Sequence, residues 1–233
     1  MKTIGILGGV GPQTTAKVYL SIIDLIRTSG QKKYPPITIY NLPFPFVIEH
    51  EAIIQGINVE KMIPYLIDGA KILEKAGVDF AILPCNTLHT YIEEVRQSVN
   101  FPVLSILEET SLTLKEKSIS TVGLLATQTT IANNIYENTL KKNNISILYP
   151  TTEEQAALNQ LIVELLNGKE HKVHKETLQQ ICNALYQRGA KVILLACTDL
   201  QLIASDIKTA ASLIDTTEIL INAAVREMLA GSS

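Results

Sequence analysis

Short unbroken apolar runs alternate along this chain with longer stretches in which apolar residues recur every three or four positions. The unbroken runs "TIGILGG" (3–9), "ITIYNL" (37–42), "VDFAILP" (78–84) and "FPVLSIL" (101–107) predict strands. The periodic stretches predict helices over 14–28, 59–75, 90–98 and 109–117, with a Pro-rich loop after the second strand. Strands that are apolar throughout suit a parallel sheet covered by helices on both faces. Strand–helix alternation with short Gly-containing connections predicts an α/β fold.

The pattern then starts again. "TVGLLATQTTIAN" (121–133) echoes "TIGILGGVGPQTT" (3–15), and "ISILYPT" (145–151) stands where "ITIYNLP" stood. "LYQRGAKVILLACTDLQ" (185–201) echoes "LEKAGVDFAILPCNTLH" (73–89), and "ASLIDTTEIL" stands against "VLSILEETSL". Strand rhythm alone proves little, because apolar strands resemble one another by composition. The polar matches carry more weight: Cys-Asn-Thr and Cys-Thr-Asp each follow the third strand of their half. We expect two similar four-stranded parallel α/β halves related by a pseudo-twofold axis, over 1–107 and 108–210. The last strand and helix (211–233) should pack back across the halves, with the site in the cleft between them.

Composition narrows the function. The 233 residues suffice for a sizeable core, and 46% hydrophobic with 18% charged content reads as an ordinary soluble globular protein. A net charge of -3 without a Lys/Arg cluster leaves no footprint for nucleic acid. No apolar run is long enough to span a membrane. "MKTIGILGG" is too short for the apolar core of a signal peptide, and three cysteines form no even framework. Free thiols in a reducing cytoplasm are the expectation.

Ligand sites in open α/β sheets lie beyond the carboxyl ends of the strands, where Cys85 and Cys197 are predicted to sit. A lone buried cysteine is usually a small hydrophobe, which is our reading of Cys182 in "LQQICNALY". A symmetry-related pair with polar neighbours points to chemistry instead. Opposed thiols can invert a carbon stereocentre, one removing a proton as thiolate while the other delivers one. A free thiol has a pKa of about 8.5, so help is expected from a helix N-terminus, a cation or donor hydroxyls. Asn86, Thr87 and Thr198 are placed to donate to a substrate carboxylate. His89 either tunes the Cys85 thiol or is a helix-start histidine bonded to backbone. "GGVGP" (8–12) lacks the dinucleotide spacing and reads as a carboxylate cradle or a tight turn. No zinc spacing, phosphate loop or pyridoxal-binding lysine is evident, and His50, His171 and His174 read as solvated.

"MKTIGILGGVGPQTTAKVY", "LPCNTLH", "VLSILEET", "GLLAT" and "ACTDL" together resemble the aspartate/glutamate racemase family, in that family's order and over nearly the whole chain. The resemblance implies a cofactor-independent amino-acid racemase with two similar α/β domains, usually a homodimer. Cys85 and Cys197 match the two acid/base cysteines. Asn86, Thr87 and Thr198 match substrate contacts, and the resemblance extends these to Gly11, Asn41 and Thr127, with His89 and Asp199 as auxiliary groups.

The departures concern the substrate. Aspartate racemases of the family typically carry an Arg shortly after the second strand, whereas this loop reads "NLPFPFVIEHEAII" with Val47 and Ile48 near that place. A second basic residue expected within 165–168 is replaced by Asn167, with Lys169 close by. Ala196-Cys197-Thr198-Asp199 stands where aspartate racemases usually have Gly-Cys-Thr-Glu, and looks more like the broad-specificity branch. Glu49 and Glu51 either disfavour a second carboxylate or belong to a solvated loop. Three rivals stand beside racemisation: a silent ligand-binding protein, a thiol redox protein, and a diacid isomerase or decarboxylase.

Overall fold

The computed structural model describes residues 1–166, 168–169 and 172–231. Its strands form two four-stranded, wholly parallel sheets of the same order. The first runs β2 (Ile37–Asn41), β1 (Ile4–Gly8), β3 (Phe80–Ile82), β4 (Val103–Leu104). The second runs β6 (Ser146–Leu148), β5 (Thr121–Ala126), β7 (Val192–Ala196), β8 (Ser212–Asp215). This is the expected α/β architecture of two similar halves.

The repeat extends to packing. Gly5 in β1 faces Leu73 and Val78, while Gly123 in β5 faces Leu185 and Ala190. A Cβ at either glycine would meet these side chains at 3.0–3.3 Å, so each keeps its strand open to the helix leading into the next central strand. That helix is α3 (Ile63–Lys75) in the first half and α9 (Lys172–Gln187) in the second. With α4 (Ile92–Gln97) and α8 (Thr152–Leu166), these helices cover the outer faces of the sheets.

The inner faces share one core. Ile4, Ile6, Phe80 and Ile82 from the first sheet join Val122, Leu124 and Leu194 from the second. Between them lie α1 (Pro12–Thr28), α5 (Ile106–Glu116), α7 (Ile135–Lys141) and α11 (Thr216–Ala230). The last helix of each half crosses to the other, α5 packing on α7 and α11 on α1, and α5 and α11 pack together. Each starts with a side-chain cap, Ser105 accepting from Glu108 N–H and Asp215 from Thr217 N–H. Lys2 N–H donates to the Met228 carbonyl at 3.0 Å, tying the first strand to the end of α11. The strand before α11 is the edge strand β8 of the second sheet. Leu194 is fully buried in the shared core, so Leu194→Ala should cost about 2–5 kcal/mol.

Two local expectations need correction. The loop after β2 is largely helical, with α2 (Phe46–Glu49) and one π-helical turn (His50–Gln55), and the helix expected from Val59 opens with a 3₁₀ turn (Val59–Met62). Its prolines disguised this, yet Pro45 starts α2 by offering its carbonyl to Ile48 and Glu49 N–H. The segment docks on the second half: Thr129, in α6 (Gln128–Ala132), donates to the Ala52 and Ile53 carbonyls at 3.3 and 3.4 Å. His174 is not solvated. It is buried on the inner side of amphipathic α9 and bonds Glu164 at 2.7 Å, so a polar sequence neighbourhood concealed an inward-facing position. His50 is exposed, and His171 lies outside the described residues.

Candidate active site

β3 and β7 hold equivalent interior positions, and each leads directly into a cysteine. Cys85 follows Leu83 and Pro84 beyond β3, and Cys197 immediately follows β7. Each precedes a 3₁₀ turn, Thr87–Tyr91 or Thr198–Leu200. The thiols are 8% and 7% exposed, and all three cysteines of the chain are free. Cys85 and Cys197 lie near enough that charge on Cys85 raises the pKa of Cys197. Cys182, fully buried in α9, belongs to the outer core of the second half.

The thiols are not acidified as the sequence led us to expect. Backbone N–H groups do serve them as anticipated, from Leu88 and Thr87 at Cys85 and from Asp199 and Leu200 at Cys197. Burial outweighs these donors, pushing Cys85 up to about 12 and Cys197 well above the ordinary thiol value. The charged groups contributing to these shifts are themselves acidic: Asp199 and Glu49 for Cys85, Asp199 and Cys85 for Cys197. Cys197 Sγ also donates to Asp199 Oδ2 at 4.0 Å, and burial raises the pKa of that carboxyl.

Asn86 is 3% exposed and held from the other half. Its Oδ1 accepts from Tyr136 OH at 2.5 Å and from Thr216 Oγ1 at 3.3 Å. Its Nδ2 has no partner, leaving a buried donor unused beside Cys85. Thr87 also reaches across. Its hydroxyl lies 3.1 Å from those of Thr127 and Thr130, which are 3.0 Å from each other, forming a closed ring of three. Thr127 also caps α6 by accepting from Thr130 N–H. Thr198 is buried at the start of the second 3₁₀ turn. Thr130, Tyr136 and Thr216 escaped the sequence reading because their roles arise only when the halves meet. The twice-occurring Gln-Thr-Thr of the repeat was the available signal for Thr130.

The turn after β1 is built from glycine for geometric reasons. Gly9 has φ +101°, and a Cβ there would come within 2.7 Å of the Leu42 backbone nitrogen. Gly11 (φ +74°) caps α1, with Pro12 opening the helix. Asn41, exposed at the end of β2, lies against Gly9. The two acids of the following segment part company. Glu51 accepts from Asn58 Nδ2 at 2.9 Å and pairs with Lys61, whereas Glu49 stands near enough to the Gly11 N–H to feel it. Burial and neighbouring Asp199 raise the Glu49 pKa, while Gly11 N–H lowers it. Val47 is exposed, and Ile48 leans on the first outer core. Asn167 lies outside the described residues, and Lys169 is exposed near Glu164.

His89 is 2% exposed and bonds only to backbone within hydrogen-bond distance. Its Nδ1–H donates to the Cys85 carbonyl at 2.7 Å, and Nε2 accepts from Ile106 N–H at 3.0 Å, a pairing that assigns the neutral tautomer. Burial lowers its pKa to about 4. Its ring therefore ties the carbonyl of the cysteine to the start of α5.

A family model described as Asp/Glu/hydantoin racemase matches residues 7–224. The chain belongs to the Asp/Glu/hydantoin racemase family. It is 36% identical over 234 residues to the broad specificity amino-acid racemase RacX of Bacillus subtilis (strain 168), covering 99% of this chain and 100% of that protein. An aspartate racemase homologue from Pyrococcus horikoshii OT3 is 29% identical with a TM-score of 0.80, covering 98% of this chain and 99% of its own. The Picrophilus torridus aspartate racemase is 25% identical with a TM-score of 0.81, covering 98% and 94%. This family member thus shares its two-half architecture with solved racemases from end to end.

Proposed function

We propose that this protein is an amino-acid racemase in which Cys85 and Cys197 exchange the α-proton of a small amino acid across the cleft. The observation carrying this reading is the pair of nearly buried thiols, each following the equivalent interior strand of its half and coupled to the other. One thiolate removes the α-proton: the C–H bond breaks and an S–H bond forms. On the opposite face the other thiol delivers its proton: S–H breaks, C–H forms, and that sulfur becomes the thiolate. The opposite enantiomer runs the same steps in reverse.

Raised pKa values keep both thiols protonated in the empty cleft at neutral pH. Asp199, within 4.0 Å of Cys197 Sγ, takes the thiol proton to start the reaction, and its raised pKa makes it a better acceptor. The α-carboxylate sits on Asn86 Nδ2 with the hydroxyls of Thr87, Thr127 and Thr198 around it, where donor bonds acidify the neighbouring carbon. The enzyme works as a homodimer in the cytoplasm. The free cysteines, the exposed Tyr19 and Leu20 of α1 and the exposed Ile39 of the edge strand β2 support this.

The test is racemisation of a panel of single amino acids by wild type, Cys85→Ser and Cys197→Ser. Turnover in wild type and its loss in both variants is expected. Full racemisation by either variant would end the two-thiol mechanism.

A further inference from the structure

The first residues of α5 and α11 hold equivalent places, each directly after the residue that caps its helix, Ser105 before Ile106 and Asp215 before Thr216. Both turn toward the loop that carries Cys85, by different means. Ile106 gives its backbone N–H to His89 Nε2 at 3.0 Å, whereas Thr216, fully buried, uses its side chain. Thr216 Oγ1 lies 3.0 Å from the Leu195 carbonyl and 3.3 Å from Asn86 Oδ1. Leu195 stands two residues before Cys197, and Asn86 directly follows Cys85. One hydroxyl therefore joins the chain beside both cysteines.

That hydroxyl carries a single proton between two acceptors, the nearer of which is Leu195. Tyr136 OH brings Asn86 Oδ1 another donor, at 2.5 Å. The second half thus engages the amide oxygen of Asn86 twice, which leaves Nδ2 as the end turned away from those donors. Nδ2 is buried and has no partner. An asparagine amide rotates broadly when nothing holds it, so its donor end needs such anchoring to be in place before a ligand arrives. A donor fixed in advance reorganises little when charge is brought to it.

We propose that Thr216 is a positioning residue for substrate binding: anchored on the Leu195 carbonyl, its hydroxyl fixes the Asn86 amide from the opposite half, so that Nδ2 meets the substrate α-carboxylate. The inference rests on the racemase reading and adds to it a residue that acts only through Asn86. Every α-amino acid presents the same carboxylate, so the contribution of Thr216 falls on all substrates alike. A Thr216 that merely satisfies the Leu195 carbonyl would affect stability and leave substrate binding alone.

The experiment follows racemisation and α-proton exchange in wild type, Thr216→Val, Thr216→Ala, Thr216→Ser and the control Thr217→Val, each checked for folding by circular dichroism. The substrates are the two amino acids that wild type racemises fastest in a panel of acidic, basic and neutral ones. Valine keeps the branched shape without the hydroxyl, alanine removes both, and serine keeps the hydroxyl. The Thr217 hydroxyl is also buried but bonds to neither Asn86 nor Leu195. Thr216→Val and Thr216→Ala should raise KM for both substrates by about tenfold, with kcat changing less than about threefold. Thr216→Ser and Thr217→Val should stay within about threefold of the wild-type KM. The assignment is overturned, with the racemase reading intact, if a folded Thr216→Val or Thr216→Ala keeps the wild-type KM. A rise confined to one substrate, shared by Thr217→Val or not reversed in Thr216→Ser overturns it equally. A wild type that neither racemises nor exchanges any amino acid overturns the racemase reading and this inference with it.

Discussion

His89 makes the stability of this protein depend on mildly acidic pH, by an amount that can be worked from its environment. The neutral ring is committed on both nitrogens, donating to the Cys85 carbonyl and accepting from Ile106 N–H. Protonation would bury a charge and turn the Ile106 acceptor into a donor facing a donor. The pKa is accordingly lowered to about 4, with burial the main cause, against about 6.5 for a free histidine. Above pH 6.5 neither the native nor the unfolded state carries the proton, and stability is undiminished. Between about 6.5 and 4 only the unfolded state binds it, so stability falls with pH, and below about 4 the loss levels off. Linkage gives a loss of about 2 kcal/mol between pH 7 and pH 5, and roughly 3 kcal/mol once the titration is complete. Urea unfolding of wild type and His89→Asn at both pH values isolates this group, since every other titration is common to the two. At pH 7 the variant should be less stable by about 1–3 kcal/mol, having left a buried N–H unsatisfied. On moving to pH 5, wild type should lose about 2 kcal/mol more than the variant. Equal losses, within about 0.5 kcal/mol, would refute the buried neutral histidine.

Further outcomes follow from the site. Cys85→Ser and Cys197→Ser should each lower racemisation by about a thousandfold or more while one-sided α-proton exchange persists, as NMR in D₂O would register. Tyr136→Phe removes the donor at 2.5 Å from Asn86 and should cost about 1 kcal/mol in urea unfolding, with a larger KM as Asn86 loosens. In the ligand-free enzyme, alkylation of Cys85 by iodoacetamide should quicken about tenfold per pH unit from 7 to 9. A plateau below pH 8 would contradict a thiol held near 12.

Much of the fold was written in the hydrophobic pattern, because strands covered on both faces are apolar throughout and their helices are not. The duplicated Cys motifs pointed to the candidate site because each follows an interior strand of a repeated unit. What remained hidden depends on contact between the halves. Tyr136 and Thr216 reach Asn86 from distant sequence, and nothing local marks them as its partners. The helical turns after β2 were masked by Pro43 and Pro45, although a proline can start a helix as readily as end one. Raised thiol pKa values also lay beyond sequence: the helical-turn donors were foreseeable, but the depth of burial opposing them was not.

Single-turnover reaction in D₂O distinguishes two opposed thiols from a lone acid/base. One enantiomer of an amino acid that the enzyme racemises is mixed with excess enzyme, quenched early, and both enantiomers are analysed for deuterium at the α-carbon. If Cys85 and Cys197 act from opposite faces, the newly formed enantiomer carries solvent deuterium while the unreacted enantiomer keeps its protium. Product that retains the original α-hydrogen would mean that one group carries the proton from face to face, and the two-thiol account would fail.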